Sequence, residues 1–197
     1  MGAGNDGGHR AVFLDRDGVI NRNALNPATG EYESPLTEAD FEFAPGVFEA
    51  MQVLRAAGFL LFLVSNQPNY AKGKSSLRTL NSIHEKLLSG LKLAGIEFAD
   101  FYYCFHHPQG SVVGYSRRCE CRKPSPYFLL KAQAEFDVDL RRSWMVGDRQ
   151  TDVECGIAAG TKAILIHAGV LAPEAEMQPD GIAPDLFSAA RLILVAE

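Results

Sequence analysis

No stretch of this chain approaches the roughly 20 consecutive apolar residues that a membrane-spanning helix needs, and no membrane partner is expected. The first ten residues, Met1 to Arg10, lack the apolar segment of a secretory signal. Rich in glycine, they are expected to form a flexible tail in which His9 is idle. The cytoplasm is then the expected compartment. Positive charge is in deficit, with 19 Lys and Arg against 24 Asp and Glu for a net charge of −5. That balance excludes a broad electrostatic grip on nucleic acid or anionic membrane. An anionic substrate would need local positive charge or a metal ion instead. Cysteine is scarce, at four residues, and these read better as metal ligands than as disulfides. No internal repeat or second-domain boundary is visible. The 197 residues therefore read as one domain over 11–197, long enough to bury a core without staples, and as a monomer.

What the chain does contain is a regular alternation of apolar runs and amphipathic stretches. Ala11-Val-Phe-Leu14 reads as a buried parallel strand. Arg22 to Asp40 is polar and turn-rich, as expected of a loop that covers a substrate. A helix is predicted from Pro45 to Ala57, stopped by Gly58, and a second buried strand over Phe59 to Val64. Ser75 to Ala94 reads as a long amphipathic helix with Leu77, Leu80, Ile83, Leu87, Leu88 and Leu91 on one face, and His84 within it reads as a partly exposed helix histidine. Further strands are predicted at Phe98–Tyr103, Trp144–Val146 and Ala163–Ile166. Further helices are predicted at Pro126–Phe136, Thr151–Ala159 and about Asp185–Val195, the last after a Pro-rich loop. Strand and helix alternate, which predicts an α/β fold with a doubly wound, mostly parallel sheet.

Three predicted strand ends carry polar groups: Asp15 and Asp17, Ser65 and Asn66, and Asp148. Parallel strands bring their carboxyl ends to one edge, where ligands bind in open α/β sheets. On this reading Asp15 is a nucleophile and Asp17 a proton-transfer group. Asp15, Asp17 and Asp148 form a hard oxygen site suited to Mg²⁺. Strand-end acids also cap helices, but three together argue for chemistry. Lys123, fixed before Pro124, can counter phosphate charge, with Arg122 beside it offering a bidentate fork. Asp152 either orients this cluster or lies in the first turn of a helix, where acids are favoured.

Cys104-Phe-His106-His107 and Cys119-Glu-Cys121 bring three cysteines and a histidine within 18 positions. That set fits a tetrahedral Cys₃His zinc site, and the residue chemistry leaves open which histidine binds. The intervening segment from Gln109 to Arg118 has no core pattern, so a metal would supply its stability. Cys155 reads as a small buried hydrophobe.

Asp15-Arg-Asp-Gly18, Ser65-Asn66, Lys123-Pro124 and Gly147-Asp148 with Asp152 resemble, in order and spacing, the four motifs of the haloacid dehalogenase (HAD) phosphatase superfamily. The resemblance implies an aspartyl-phosphate mechanism in which Asp15 attacks phosphorus and Asp17 acts as acid and then base. It implies Mg²⁺ held by the Asp15 carboxylate, the Asp17 main-chain carbonyl and Asp148. It also implies phosphoryl oxygens held by Ser65, Lys123 and amides near Asn66. The segment from Tyr103 to Pro124 looks like that of the D-glycero-D-manno-heptose-1,7-bisphosphate 7-phosphatases, HAD enzymes of bacterial ADP- or GDP-heptose synthesis without a large cap. What that likeness implies is a structural zinc on Cys104, His106, Cys119 and Cys121. It further implies substrate contacts from Asn66, Gln67, Arg122 and Arg149, and a sugar phosphate as substrate.

Several positions depart from the usual family pattern. Pro68 and Tyr70 stand in the phosphate loop and are expected to add bulk beside the phosphate site. Lys72 stands for an arginine and Arg149 for a lysine. Histidinol-phosphate phosphatase is the alternative enzyme, because a zinc-loop HAD branch carries that activity. A non-catalytic sugar-phosphate binder is the alternative from another class, and the retained nucleophile–acid pair argues against it.

Overall fold

A computed structural model describes residues 8–26, 30–167 and 178–196. In chain order the strands are β1 (Ala11–Leu14), β2 (Ala24–Leu25), β3 (Tyr32–Glu33), β4 (Leu60–Asn66), β5 (Asp100–Cys104), β6 (Trp144–Gly147), β7 (Lys162–Ile166) and β8 (Gly181–Ala183). The α-helices are α1 (Val47–Ala56), α2 (Leu77–Leu93), α3 (Tyr127–Phe136), α4 (Gln150–Ala159) and α5 (Leu186–Val195). Six strands form one sheet in the order β5-β4-β1-β6-β7-β8, and every pairing in it is parallel. The expected doubly wound α/β fold is therefore present. The central strands read as unbroken apolar runs because helices cover both faces. Val12, Leu14, Leu61 and Leu63 pack with α1, α2 and α5, whereas Phe13, Phe62, Val64 and Met145 pack with α3 and α4.

The sequence reading misses strands β2, β3 and β8 and a short 3-10 helix at Leu140–Arg142. β2 and β3 form a small antiparallel hairpin inside the expected 22–40 loop. β8 pairs with β7 beyond the Pro-rich segment, most of which lies outside the described residues. Residues 8–10 belong to the fold rather than to the expected tail. The His9 amide donates to the Asp137 carbonyl at 2.7 Å, and Arg10 reaches the Ala57 carbonyl while its guanidinium covers the Phe59 ring. Residues 1–7 of that tail lie outside the described residues. Among the described residues, no helix is long and apolar enough to cross a membrane.

Candidate active site

The register of the three central strands builds the site. Leu14 pairs with Leu63 on β4 and with Val146 on β6, so the residues that follow leave the sheet side by side. Asp15 is still bonded into the ladder, its amide donating to the Val146 carbonyl at 2.9 Å. The chain then turns at Arg16, whose carbonyl accepts from the Ile20 amide at 2.8 Å and the Asn21 amide at 3.0 Å. Two glycines let the motifs approach. Gly18 has a left-handed φ of 81°, and a Cβ there would collide with the Asp148 carboxylate. A Cβ on Gly147 would occupy the space of the Asp152 side chain.

Lys123 is buried between two acids, its Nζ 3.1 Å from Asp15 Oδ1 and 2.7 Å from Asp152 Oδ1. It also donates to the Val64 carbonyl at 2.6 Å. Asp15 Oδ1 takes a further bond from the Arg16 amide at 2.7 Å. Burial pushes the Asp15 carboxyl up to about 7; Lys123 pulls against this, and Asp152, Asp17 and Asp148 add to it. Burial also raises Asp148, to about 6, with Asp152 adding to the shift and Arg149 opposing it. For Lys123 burial works downward, but Asp15 and Asp152 outweigh it and hold the ammonium above its ordinary range. Asp17 has the opposite balance. Burial raises it, yet Arg16, Gln67 and Asn21 together hold it below the usual carboxylate range.

The acids fit a divalent cation. Carboxylate oxygens of Asp15, Asp148 and Asp152 all lie within 4.8 Å of one another. Asp148 Oδ1 is buried without a hydrogen-bond partner. Among the described residues, Asp15, Asp17, Asp148 and Asp152 are met by two buried cations, Arg16 and Lys123. The surplus negative charge and the all-oxygen donor set suit Mg²⁺.

Beside this cluster the sulfurs of Cys104 and Cys121 each lie 3.5 Å from Cys119 Sγ. His106 Nδ1 lies 3.9 Å from Cys104 Sγ and 3.5 Å from Cys121 Sγ. Ligands at zinc bond lengths in a tetrahedron stand about 3.5–3.8 Å apart, so this cluster has the geometry to hold zinc. His106 is the histidine in the cluster; His107 Nδ1 instead accepts from the Gln109 amide. Cys155 is buried apart from the cluster, its thiol donating to the Ser125 carbonyl.

A cleft of about 570 Å³ opens over the acids. Asp15, Asp17, Asn66, Arg122, Lys123, Arg149 and Asp152 line it, together with Pro68, Lys72 and Lys74. Asn66 exchanges bonds with Lys123, its amide donating to the Lys123 carbonyl and its oxygen accepting from the Lys123 amide, both at 3.1 Å. Asp152 Oδ2 accepts from the Arg149 amide at 3.0 Å, which ties it to both cationic segments. Arg122 reaches the His106 carbonyl at 3.4 Å, so the cysteine loop aims it.

Two expectations are corrected. Gln67 does not line the cleft: it is buried, donating to Asp17 at 2.6 Å and Ser65 at 3.0 Å and accepting from Arg16. Ser65 lies beneath it, also buried. Tyr70 does not line the cleft; it meets Tyr115 of the cysteine loop edge-on, ring centres 4.7 Å apart. The sequence reading also passed over Arg16, which is 1% exposed, and the hairpin residues Glu31, Tyr32, Glu33 and Ser34 that wall the cleft. A charged residue wedged between two acids at a buried strand end was the available signal for Arg16.

A HAD-hydrolase-like family model matches residues 120–189. The D-glycero-beta-D-manno-heptose-1,7-bisphosphate 7-phosphatase of Escherichia coli K12 is 38% identical over 175 residues, 87% of each chain. The enzyme of the same name from Vibrio cholerae is 39% identical over 160 residues, 81% of this chain and 82% of that one. The crystal structure of D,D-heptose 1,7-bisphosphate phosphatase from B. bronchiseptica, complexed with magnesium and phosphate, superposes with a TM-score of 0.75 at 28% identity. That match covers 95% of this chain and 99% of the other. With this likeness running through nearly the whole fold, the chain belongs to the HAD-like hydrolases, within the family of the heptose-bisphosphate 7-phosphatases.

Proposed function

We propose that this chain is a Mg²⁺-dependent phosphatase that removes the 7-phosphate of D-glycero-D-manno-heptose 1,7-bisphosphate. The observation that carries the reading is the Lys123–Asp15 pair, 3.1 Å apart at the floor of a cleft walled by further cations. Its likeness to enzymes named for that substrate supports the sugar and, from their names, the β anomer.

In this reading Asp15 attacks phosphorus in line with the leaving oxygen, and the phosphoryl group passes to the carboxylate. Water then attacks the aspartyl-phosphate, releasing inorganic phosphate and restoring Asp15. A covalent intermediate divides one difficult displacement into two easier ones. Asp17 gives a proton to the departing sugar oxygen and later takes one from the attacking water. Lys123 faces the phosphoryl oxygens, since phosphoryl transfer depends mainly on positioning and charge stabilisation, whereas the buried Ser65 hydroxyl accepts from Gln67 and so braces Asp17. Mg²⁺, held by Asp15, the Asp17 main-chain carbonyl and Asp148, would neutralise phosphoryl charge and favour the ionised nucleophile. Asp152 orients Lys123. Zinc on Cys104, His106, Cys119 and Cys121 is structural, because four protein ligands leave no open position. Arg122, Arg149 and Asn66 contact substrate, whereas Gln67 serves Asp17. A monomer acting in the cytoplasm completes the proposal.

The test is phosphate release with Mg²⁺ from both heptose bisphosphate anomers and from histidinol phosphate. The β-heptose bisphosphate is expected to give the highest kcat/KM, and Asp15→Asn to abolish turnover. Preference for histidinol phosphate would sink the substrate assignment, and an active Asp15→Asn protein would sink the mechanism.

A further inference from the structure

Arg16 is a charged side chain with almost no contact with solvent, at 1% exposure. Its Nε donates to Asp17 Oδ1 at 3.0 Å and its Nη2 to Asp17 Oδ2 at 3.2 Å, a two-pronged grip on one carboxylate. The same Nη2 donates to Gln67 Oε1 at 2.9 Å, and Gln67 returns a bond from Nε2 to Asp17 Oδ2. Tyr103 and His84 line one cavity with Arg16, and the Tyr103 hydroxyl lies 2.9 Å from His84 Nδ1. His84 is braced edge-on by the Phe101 and Tyr103 rings. Asp17 therefore ends one line of neighbouring side chains that runs back through Arg16 and Tyr103 to α2. Burying a guanidinium is costly unless its donors are satisfied, and here they converge on a side chain that reaches the cleft.

Resting on the phosphatase reading, we infer that Arg16 is a positioning residue that fixes the plane of the Asp17 carboxylate for proton transfer to the leaving oxygen. Lysine could not do this, because a point charge lacks the planar fork. Asn21 Nδ2 also bonds Asp17 Oδ1, at 3.1 Å. This neutral bond can yield when Oδ1 carries the proton that Asp17 delivers to the leaving oxygen, while the guanidinium keeps the carboxyl group in place. The sugar's alkoxide is a poor leaving group and needs that proton; 4-nitrophenolate departs without it. Loss of Arg16 is thus expected to discriminate between esters, which general damage to the fold would not do.

The test compares kcat/KM for 4-nitrophenyl phosphate and for an alkyl phosphate, since kcat/KM reports the steps up to the departure of the leaving group. Arg16→Met is expected to lose roughly 100-fold on the alkyl ester and less than about tenfold on the aryl ester. Arg16→Lys should keep the same selectivity defect, and Arg16→Met should add little in an Asp17→Asn background. Equal losses on both esters, or additive effects in the double variant, would overturn the inference. Where Arg16→Met does not fold, Tyr103→Phe and Gln67→Met decide: a smaller loss confined to the alkyl ester upholds it, and equal loss on both overturns it. A wild-type protein that hydrolyses neither ester overturns the phosphatase reading itself, a result distinct from equal losses in an active enzyme.

Discussion

Lys123 Nζ and Asp152 Oδ1 lie 2.7 Å apart, and neither side chain is more than 2% exposed. Removing one partner of such a buried pair strands the other charge, at a cost of about 3–5 kcal/mol. Asp15 remains as a second counter-charge for Lys123, so Asp152→Asn is expected at the lower end, near 3 kcal/mol by urea unfolding. Activity should fall at least about tenfold as Lys123 loses its orientation. A variant as stable and as active as the wild type would remove Asp152 from this role.

The metal-free protein should lose stability as pH rises. Asp15 and Asp148 have folded values of about 7 and about 6, both raised above the ordinary 3.8. A raised carboxyl contributes its full stability below pH 3.8 and loses it as pH climbs through the folded value. The window of loss therefore spans about pH 4 to 7. Asp17 works the other way, its lowered value withdrawing stability only in acid below its ordinary range. Added Mg²⁺ binds the deprotonated acids, so its stabilisation should grow between pH 5 and 8. Thermal denaturation with and without Mg²⁺ measures this; a Tm shift independent of pH would contradict it.

Zinc removal should act at a distance. Burial pushes the Cys104 thiol up, and Cys121 is raised as well; zinc binding must expel these protons and should weaken as pH falls. Chelation should increase hydrogen exchange over 104–121 and raise KM by roughly tenfold through Arg122, which leans on the His106 carbonyl. Unchanged exchange and KM after verified zinc loss would contradict the coupling.

The phosphate loop and the cysteine loop should move together. Tyr70 meets Tyr115 edge-on, Tyr115 stacks on His106, and the Ala71 carbonyl accepts the Ser111 amide at 2.7 Å. An aromatic pair of this kind contributes about 0.5–1.5 kcal/mol beyond area burial. Tyr70→Ala should cost at least that in stability and raise KM several-fold with kcat nearly unchanged. A fall in kcat alone would show that Tyr70 acts elsewhere.

How far these features can be read without coordinates depends on where their causes lie. Asp15, Ser65 and Asp148 were legible because each follows an apolar run, and parallel packing brings such ends together. The Cys₃His set was legible because ligand chemistry is written in residue type. Gln67 and Tyr70 were not, because side-chain direction in a loop depends on neighbours far away in sequence. Gln67 turns inward to Arg16 and Asp17, and Tyr70 meets Tyr115. The hairpin left no pattern either: its strands are two residues each, and Leu25 and Tyr32 face solvent. Arg16 carried a signal, but its burial depends on Gln67, just past the end of β4, and on Tyr103 of β5.

The register joining β4, β1 and β6 divides the molecule into parts that can evolve independently. Asp15 and Asp148 follow the paired ends of β1 and β6, and Lys123 bonds the Val64 carbonyl of β4, whereas the β2–β3 hairpin and the cysteine loop are inserts around the rim. Selection or a designer can rebuild the rim while the bond-breaking centre stays fixed. A scaffold arranged this way can acquire a new substrate without reinventing its reaction.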